Sequence, residues 1–295
     1  MTRTTKELAI KRLFLFFALL SLFILGIIII FLFYEGLPIF QAISPLDFLF
    51  GVEWYPTYDP PNFGIGALII GSFVVTVFST IIAVPLGVLS AVYIAEIAPL
   101  FVKELFKPVI ELLAGLPSVV LGFFGMAILA PWLQETFDLP TGLNILNASI
   151  MLAFMAVPTI CSISEDALYS VPKEFKEASY ALGATKYETI ARVTMPAALS
   201  GITTAVILGM ARAIGETMVV LMVAGGATAV PESIFDSVRP MPASIAAEMA
   251  EAPFRSQHYH ALFATGIVLF LLSLGFNLVA DYISNRFKEV GSATL

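Results

Sequence analysis

The sequence predicts an all-α integral membrane protein with six transmembrane helices. Only 13% of its 295 residues are charged and 59% are hydrophobic, whereas charged residues make up about 25% of a typical soluble domain. Six runs are long and apolar enough to cross a hydrocarbon core of about 30 Å, which takes about 20 helical residues. Because unpaired backbone polar groups are too costly in lipid, each run is interpreted as a helix. In chain order, spans one to six are expected over residues 13–33, 67–94, 109–131, 146–164, 199–224 and 261–283.

Span one has an alternative interpretation as a cleaved signal peptide. Four basic residues precede its apolar run: Arg3, Lys6, Lys11 and Arg12. The run is 21 residues long, however, and no A-x-A-like cleavage site follows it. A retained first span is therefore favoured.

The distribution of Lys and Arg predicts the orientation in the membrane. With the N-terminus in the cytoplasm, 12 of the 15 basic residues fall on inner segments, two on outer segments (Arg239 and Arg255), and Arg212 within span five. Short inner loops carry the excess of positive charge in membrane proteins. Both termini are thus predicted in the cytoplasm. The net charge of −7 comes largely from the outer segments and argues against nucleic acid as a partner.

Two outer segments, residues 34–66 and 225–260, are longer than tight connections require. Either a passive cap over the helices or docking of an external protein would explain them. His258 and His260 lie two apart in the second segment, but no Cys or clustered carboxylate lies nearby at ligand spacing, so a solvated loop is expected and no metal site.

The chain is divided accordingly into three parts. Residues 1–66 hold the N-terminal tail, span one and the first outer segment. Residues 67–284 form the transmembrane domain, and residues 285–295 form a cytoplasmic tail.

The inner loop between spans four and five, residues 165–198, carries the signals of a helix, a tight turn and a second helix. Ser170 is a candidate cap with Pro172 in the first turn, Gly183 suits the stop, and Thr185 with Glu188 fits a capping box. Such a helix pair either lies in the lipid headgroups, attracted by its basic residues, or is presented to a groove on a cytoplasmic protein.

The residue pattern of this loop resembles the EAA loop of ABC-importer permeases: Glu177-Ala178-Ser179, then Gly183, then Val193-Thr194-Met195-Pro196. The spacing matches in full, with conservative departures at Ser179, Val193 and Met195. The resemblance implies the type I importer permease fold. It also implies that Glu177, Ala178, Ser179, Gly183 and Pro196 belong to a coupling helix that docks in a cleft of an ATP-binding subunit.

Three further segments resemble phosphate permeases of this family, PstC and PstA. They are Arg212-Ala213-Ile214-Gly215-Glu216-Thr217, the run from Glu111 to Ser118 with Gly122 and Gly125, and the outer segment from Phe48 to Pro56 with Phe63-Gly64-Ile65, which is closer to PstC. One departure is Gly71-Ser72, where these permeases usually have Gly-Thr. The resemblance covers residues 45–288 and implies transport of inorganic phosphate.

Arg212 and Glu216 are two charges inside span five, where a single charge costs at least ~2.5 kcal/mol. On a continuous helix they share an arc of roughly 80° with Gly201, Ala205 and Gly209. Such a face must contact protein or a water-filled cavity. One interpretation is an i, i+4 ion pair that joins span five to a neighbour. The other is that Arg212 offers its planar donors to a passing oxyanion, and the resemblance implies a role for both residues in the phosphate path.

The sequence also bears on enzymatic function. It contains no G-x-x-x-x-G-K-[ST] loop, so ATP must be bound by another subunit, and no cofactor of its own is expected. It contains no G-x-S-x-G or H-E-x-x-H motif and no His within a span, which argues against a membrane-embedded enzyme.

The expected role is therefore a multi-pass permease subunit of the cell membrane, not an enzyme. The resemblance implies three partners: an ATP-binding subunit, a second permease subunit similar to PstA, and an extracytoplasmic phosphate-binding protein. A permease for sulfate or molybdate, and an ion-coupled secondary transporter, stand as alternatives.

Overall fold

The computed structural model describes residues 3–288, and the predicted cytoplasmic tail lies outside the described residues from 289 onward. Fourteen α-helices are found in the described part, and their bounds are α1 Arg3–Gly36, α2 Pro45–Phe50, α3 Gly66–Val92, α4 Leu100–Ala114, α5 Ser118–Phe124, α6 Ala130–Phe137, α7 Ile145–Tyr169, α8 Lys173–Ala181, α9 Lys186–Thr189, α10 Met195–Ala197, α11 Leu199–Ile214, α12 Met218–Val223, α13 Met241–Glu248 and α14 Gln257–Lys288. A 3₁₀ turn covers Leu37–Gln41, and π-helical turns cover Tyr93–Ile97, Gly125–Leu129 and Ile190–Thr194. The two short strands β1 Trp54–Tyr55 and β2 Asn62–Phe63 pair antiparallel.

The predicted membrane-spanning, all-α fold is confirmed. Within residues 3–288, five segments are long and apolar enough to cross a membrane: Ile10–Gln41, Gly66–Ile97, Ser118–Phe137, Ile145–Tyr169 and Gln257–Ile283. A sixth span is obtained when Lys186–Ala197 and Leu199–Ile214, which meet at an angle of 67°, are taken together. Unlike the other spans, span five is not a single membrane-crossing helix, because α11 has 16 residues and a full crossing takes about 20.

Span three does not run over residues 109–131 as expected. The helix α4 ends at Ala114, and a new helix begins at Ser118 after the segment Gly115-Leu116-Pro117. Proline disfavours the helical conformation of the residue before it and lacks the N–H that a continuing helix needs. The membrane-crossing part therefore begins at Ser118, and the amphipathic α4 precedes it as a separate helix.

The helix α7 lies at the centre of the membrane domain. Two-thirds of its most apolar window is buried, 67%, whereas the corresponding window of α1 is 0% buried. Ile160 of α7 lies against Gly87 of α3 and Gly209 of α11, and a Cβ at either glycine would approach it within 2.8 Å. Small residues thus allow three helices to approach closely, as is usual where lipid provides no hydrophobic drive.

The two long outer segments form one packed cap. Phe48, Trp54 and Phe63 of the first segment pack with Met241 of the second and Leu262 of α14. Next to this apolar layer, the Glu248 carboxylate accepts hydrogen bonds from Trp54 Nε1 (3.0 Å) and from Arg239, and it lies 2.8 Å from His258 Nε2. The expectation that His258 lies in a solvated loop is wrong, because its side chain is buried by this cluster.

Candidate translocation path and coupling loop

Span five is interrupted where the two charges lie. The helix α11 ends at Ile214, with Gly215 as its C-terminal cap, and α12 begins at Met218. Arg212 is therefore in the last turn of α11, and Glu216 lies beyond the end of that helix. The expectation of a continuous helix over residues 199–224 is wrong, and the shared face ends at Arg212.

Glu216 caps the following helix. The first N–H groups of a helix have no backbone partner within that helix. Here Glu216 Oε1 accepts hydrogen bonds from the backbone N–H of Met218 at 3.1 Å and of Val219 at 3.3 Å, at the start of α12. Among the described residues no ion pair joins it to Arg212. The i, i+4 ion pair is thus replaced by a carboxylate turned toward backbone donors, because the helix that would align the two side chains ends between them.

Arg212 is exposed on the surface of this chain, in the last turn of α11. Its Nη1 donates to Thr159 Oγ1 of α7 over 3.4 Å. A guanidinium has five N–H donors, so this single contact leaves most of the planar fork available. Thr159 was not singled out from the sequence, because no local signal connects it with a residue 53 positions away.

The inner loop has the predicted architecture of helix, turn and helix. Gly183 ends α8 with a φ of +86°, a left-handed conformation that favours glycine. Thr185 and Glu188 form the predicted capping box at the start of α9. Ser170 is not the expected cap, because its Oγ donates to Ala167 O. The helix α8 begins after Pro172 without a side-chain cap.

The capping box lowers the pKa of Glu188 from its ordinary value. The largest cause is the hydrogen bond that its carboxylate accepts from the Thr185 backbone N–H, and the Thr185 hydroxyl adds a second. Glu188 therefore stays ionised, and the start of α9 stays capped, at neutral pH.

The residues of the EAA pattern divide between two sides of the loop. Glu177, Ala178, Gly183 and Pro196 are exposed. Ser179 faces the second helix, and its Oγ lies 2.9 Å from Thr189 Oγ1. The position at which the family pattern has alanine thus contributes a hydrogen bond between α8 and α9 in this chain.

Large apolar side chains are exposed around the turn of the loop. Leu182 is 89% exposed and Tyr187 is 70% exposed, and Phe175 and Tyr180 of α8 lie nearby in the chain. On the opposite side, Val171 and Ile190 are buried against the membrane helices. Several large exposed apolar side chains in one short segment are typical of a protein interface.

The comparisons with known proteins agree with this architecture. Residues 83–289 match the family described as binding-protein-dependent transport system inner membrane component. The chain is 44% identical over 263 residues to the probable ABC transporter permease protein YqgH of Bacillus subtilis, covering 88% of this chain and 85% of the relative. It is 33% identical over 290 residues to the phosphate transport system permease protein PstC of Mesorhizobium japonicum, covering 91% and 87%.

Two solved structures support the fold. A bacterial alginate ABC transporter, in complex with an alginate pentasaccharide-bound periplasmic protein, matches with a TM-score of 0.62 and 17% identity over 94% of this chain and 96% of that chain. The inward-facing MetNI methionine ABC transporter matches with a TM-score of 0.56 and 21% identity over 76% and 94%.

Fold and matches together define a type I ABC-importer permease. The chain belongs to the family of inner-membrane components of binding-protein-dependent transport systems. It is accordingly a multi-pass membrane transport subunit and not an enzyme, as expected from its sequence.

Proposed function

We propose that this chain is a PstC-type subunit that moves inorganic phosphate into the cytoplasm. The observation that carries the proposal is Arg212, an exposed guanidinium in the last turn of α11, within the predicted span five. Lipid would penalise this charge, so the surface around it must meet protein or water. Its planar donors suit two oxygens of a tetrahedral oxyanion.

The position of Glu216 weakens one objection to this path. A free carboxylate beside the guanidinium would repel phosphate. Here its Oε1 is held by the N–H groups of Met218 and Val219, at the positive end of α12. We propose that Glu216 both shapes the break in span five and moderates how tightly Arg212 retains the anion.

Three partners complete the proposed importer. The exposed apolar surface around Leu182 and Tyr187 is the proposed docking site for the ATP-binding subunit, which supplies the energy. The open side of Arg212 is proposed to face a second, PstA-like permease subunit. An extracytoplasmic phosphate-binding protein would dock on the outer cap, and both termini would lie in the cytoplasm.

Phosphate is favoured over other oxyanions by residues within this chain. Arg212 to Thr217 read R-A-I-G-E-T, and several relatives bear the name PstC, including one 29% identical in Methanocaldococcus jannaschii. The name of the Bacillus subtilis relative states no substrate. Sulfate and molybdate are therefore the competitors that an experiment must include.

The test is uptake of labelled phosphate by vesicles that contain this chain with its ATP-binding subunit, partner permease and binding protein. ATP-dependent uptake that excess unlabelled phosphate suppresses, and excess sulfate or molybdate does not, is the expected result. Uptake of sulfate or molybdate in place of phosphate would overturn the substrate.

A further inference from the structure

Span two has no covalent connection to the coupling loop. The loop, residues 165–198, leaves α7 and enters α11, so any movement of α8 acts directly on spans four and five. Span two, which packs against both of these helices, must receive the movement through side chains. A second connection, between the coupling loop and span two, is therefore expected at the inner end of span two.

That inner end is a π-helical turn, Tyr93–Ile97. Single π-helical turns are rare and occur frequently at functional sites. Ile94 and Ala95 of this turn are buried, and they pack in one cluster with Ile190 of the π-helical turn in the coupling loop. Two π-helical turns thus belong to one apolar cluster.

Two lysines hold the turn from separate helices. Lys176 of α8 forms an ion pair with Glu96, with Nζ 2.6 Å from Oε1. Its side chain is 21% exposed and that of Glu96 is 10% exposed, so solvent screens the pair only partly. Lys103 of α4 donates to the carbonyl oxygen of Ala95 over 2.8 Å and to the Tyr169 hydroxyl over 3.2 Å.

The two lysine contacts differ in what they connect. Lys103 belongs to α4, which is outside the coupling loop, and it binds the turn to the end of α7. Lys176 belongs to the coupling helix itself, one residue before Glu177 of the EAA pattern. The Glu96–Lys176 pair is therefore a polar contact that runs from the docking helix straight to span two.

We infer that Glu96 and Lys176 are positioning residues that transmit the movement of the coupling helix to span two. The inference rests on the proposed function only in so far as α8 is the docking helix. When the ATP-binding subunits close and displace α8, the ion pair pulls the Tyr93–Ile97 turn with it. Span two then moves together with spans four and five, and the path opens as one unit.

Separation of uptake from ATP hydrolysis is the expected consequence of breaking the pair. Glu96→Gln and Lys176→Met each remove one charge and leave α8 its exposed apolar docking surface. The complete complex in vesicles should still assemble and hydrolyse ATP, while the amount of substrate taken up per ATP hydrolysed falls by about fivefold or more, the usual scale of coupling between sites.

The matched control is Glu104→Gln. Glu104 is exposed on α4 at the same face of the membrane, and among the described residues it takes part in no ion pair. Its substitution should leave uptake per ATP unchanged. The reversed pair, Glu96→Lys with Lys176→Glu, should restore uptake per ATP, because the attraction is kept and only its direction changes.

Unchanged uptake per ATP in both single variants would overturn the inference. A loss in the single variants that the reversed pair fails to restore would also overturn it. A loss caused by the broken attraction should be repaired when the attraction is restored, whereas a general loss of folding should not. The substrate used is whichever anion the wild-type complex imports. Absence of phosphate uptake in the wild type therefore counts against the proposed substrate, whereas the ratio between variants tests the ion pair.

Discussion

The coupling loop and span five both contain a helix break at a glycine, yet the two breaks lie in different surroundings. At Gly183 the chain turns among exposed groups, which form a surface. At Gly215 the chain breaks within the membrane domain, and the freed N–H groups of α12 bind Glu216. At the first break the capping box of Thr185 and Glu188 satisfies the start of α9 beside exposed groups, whereas at the second break the Glu216 carboxylate satisfies the start of α12 within the membrane domain. The same local signal thus produces an interface in one place and a polar site in the other.

The largest effect is expected from the surface at the first break. Leu182→Asp places a charge on a side chain that is 89% exposed, so the fold is retained while the apolar docking surface is lost. We expect copurification of the ATP-binding subunit and uptake to fall about tenfold or more.

Leu182→Ala is the matched control, since it shortens the side chain without charge and should give a smaller loss. Full copurification of the ATP-binding subunit with the aspartate variant would show that this surface is not the docking site.

A moderate effect is expected from the charge at the second break. Glu216→Gln keeps an oxygen that accepts the N–H groups of Met218 and Val219 but removes the negative charge beside the path. We expect half-saturation at a lower substrate concentration and a maximal rate lower by about two- to fivefold, because the anion is held more tightly and released more slowly. Transport kinetics identical to those of the wild type would contradict this role of Glu216.

The two glycines themselves allow a direct comparison of backbone strain. Gly183→Ala forces a side chain into a φ of +86° and should destabilise the loop by about 1 kcal/mol. Gly215 has a φ of −88°, and a Cβ there would meet Ala211 O at an ordinary 3.6 Å, so Gly215→Ala should be nearly neutral. Thermal unfolding of the two variants in detergent measures the difference, and equal midpoints would refute it.

The smallest effect is expected from the pH dependence of the capping box. Because the pKa of Glu188 is lowered from its ordinary value of 4.5, its contribution to stability is present above that value and is lost as the pH falls through the lowered pKa. The difference in unfolding midpoint between wild type and Glu188→Gln should be present at neutral pH and shrink in acid. A difference that does not depend on pH would contradict this assignment.

The two breaks also differ in how far the sequence predicted them. The coupling loop was predicted closely, because the positive φ of Gly183 and the capping box of Thr185 and Glu188 act over a few residues. The sequence does not predict the break at Gly215, because residues 199–224 form one largely apolar run and an isolated glycine is tolerated within a helix. The sequence does not predict the interruption before Ser118 for the same reason, since Gly115 and Pro117 lie within the apolar run of residues 109–131.

Contacts between distant parts of the chain had no local signal at all. Trp54 and Glu248 meet although 194 positions separate them, and Lys176 meets Glu96 over 80 positions. The expectation that His258 lies in solvent follows from its polar ring and takes no account of such distant contacts. Only the packing of the outer cap supplies the carboxylate that makes its burial favourable.

The central claim, that Arg212 contacts the anion in the path, is tested most directly by Arg212→Gln in the complete importer. Arg12→Gln, at an exposed residue of α1, is the matched control. The account predicts that uptake of phosphate falls about tenfold or more in the Arg212 variant while assembly and ATP hydrolysis persist, and that the Arg12 variant retains uptake. Full uptake with Arg212→Gln would contradict the account and assign Arg212 to packing between subunits.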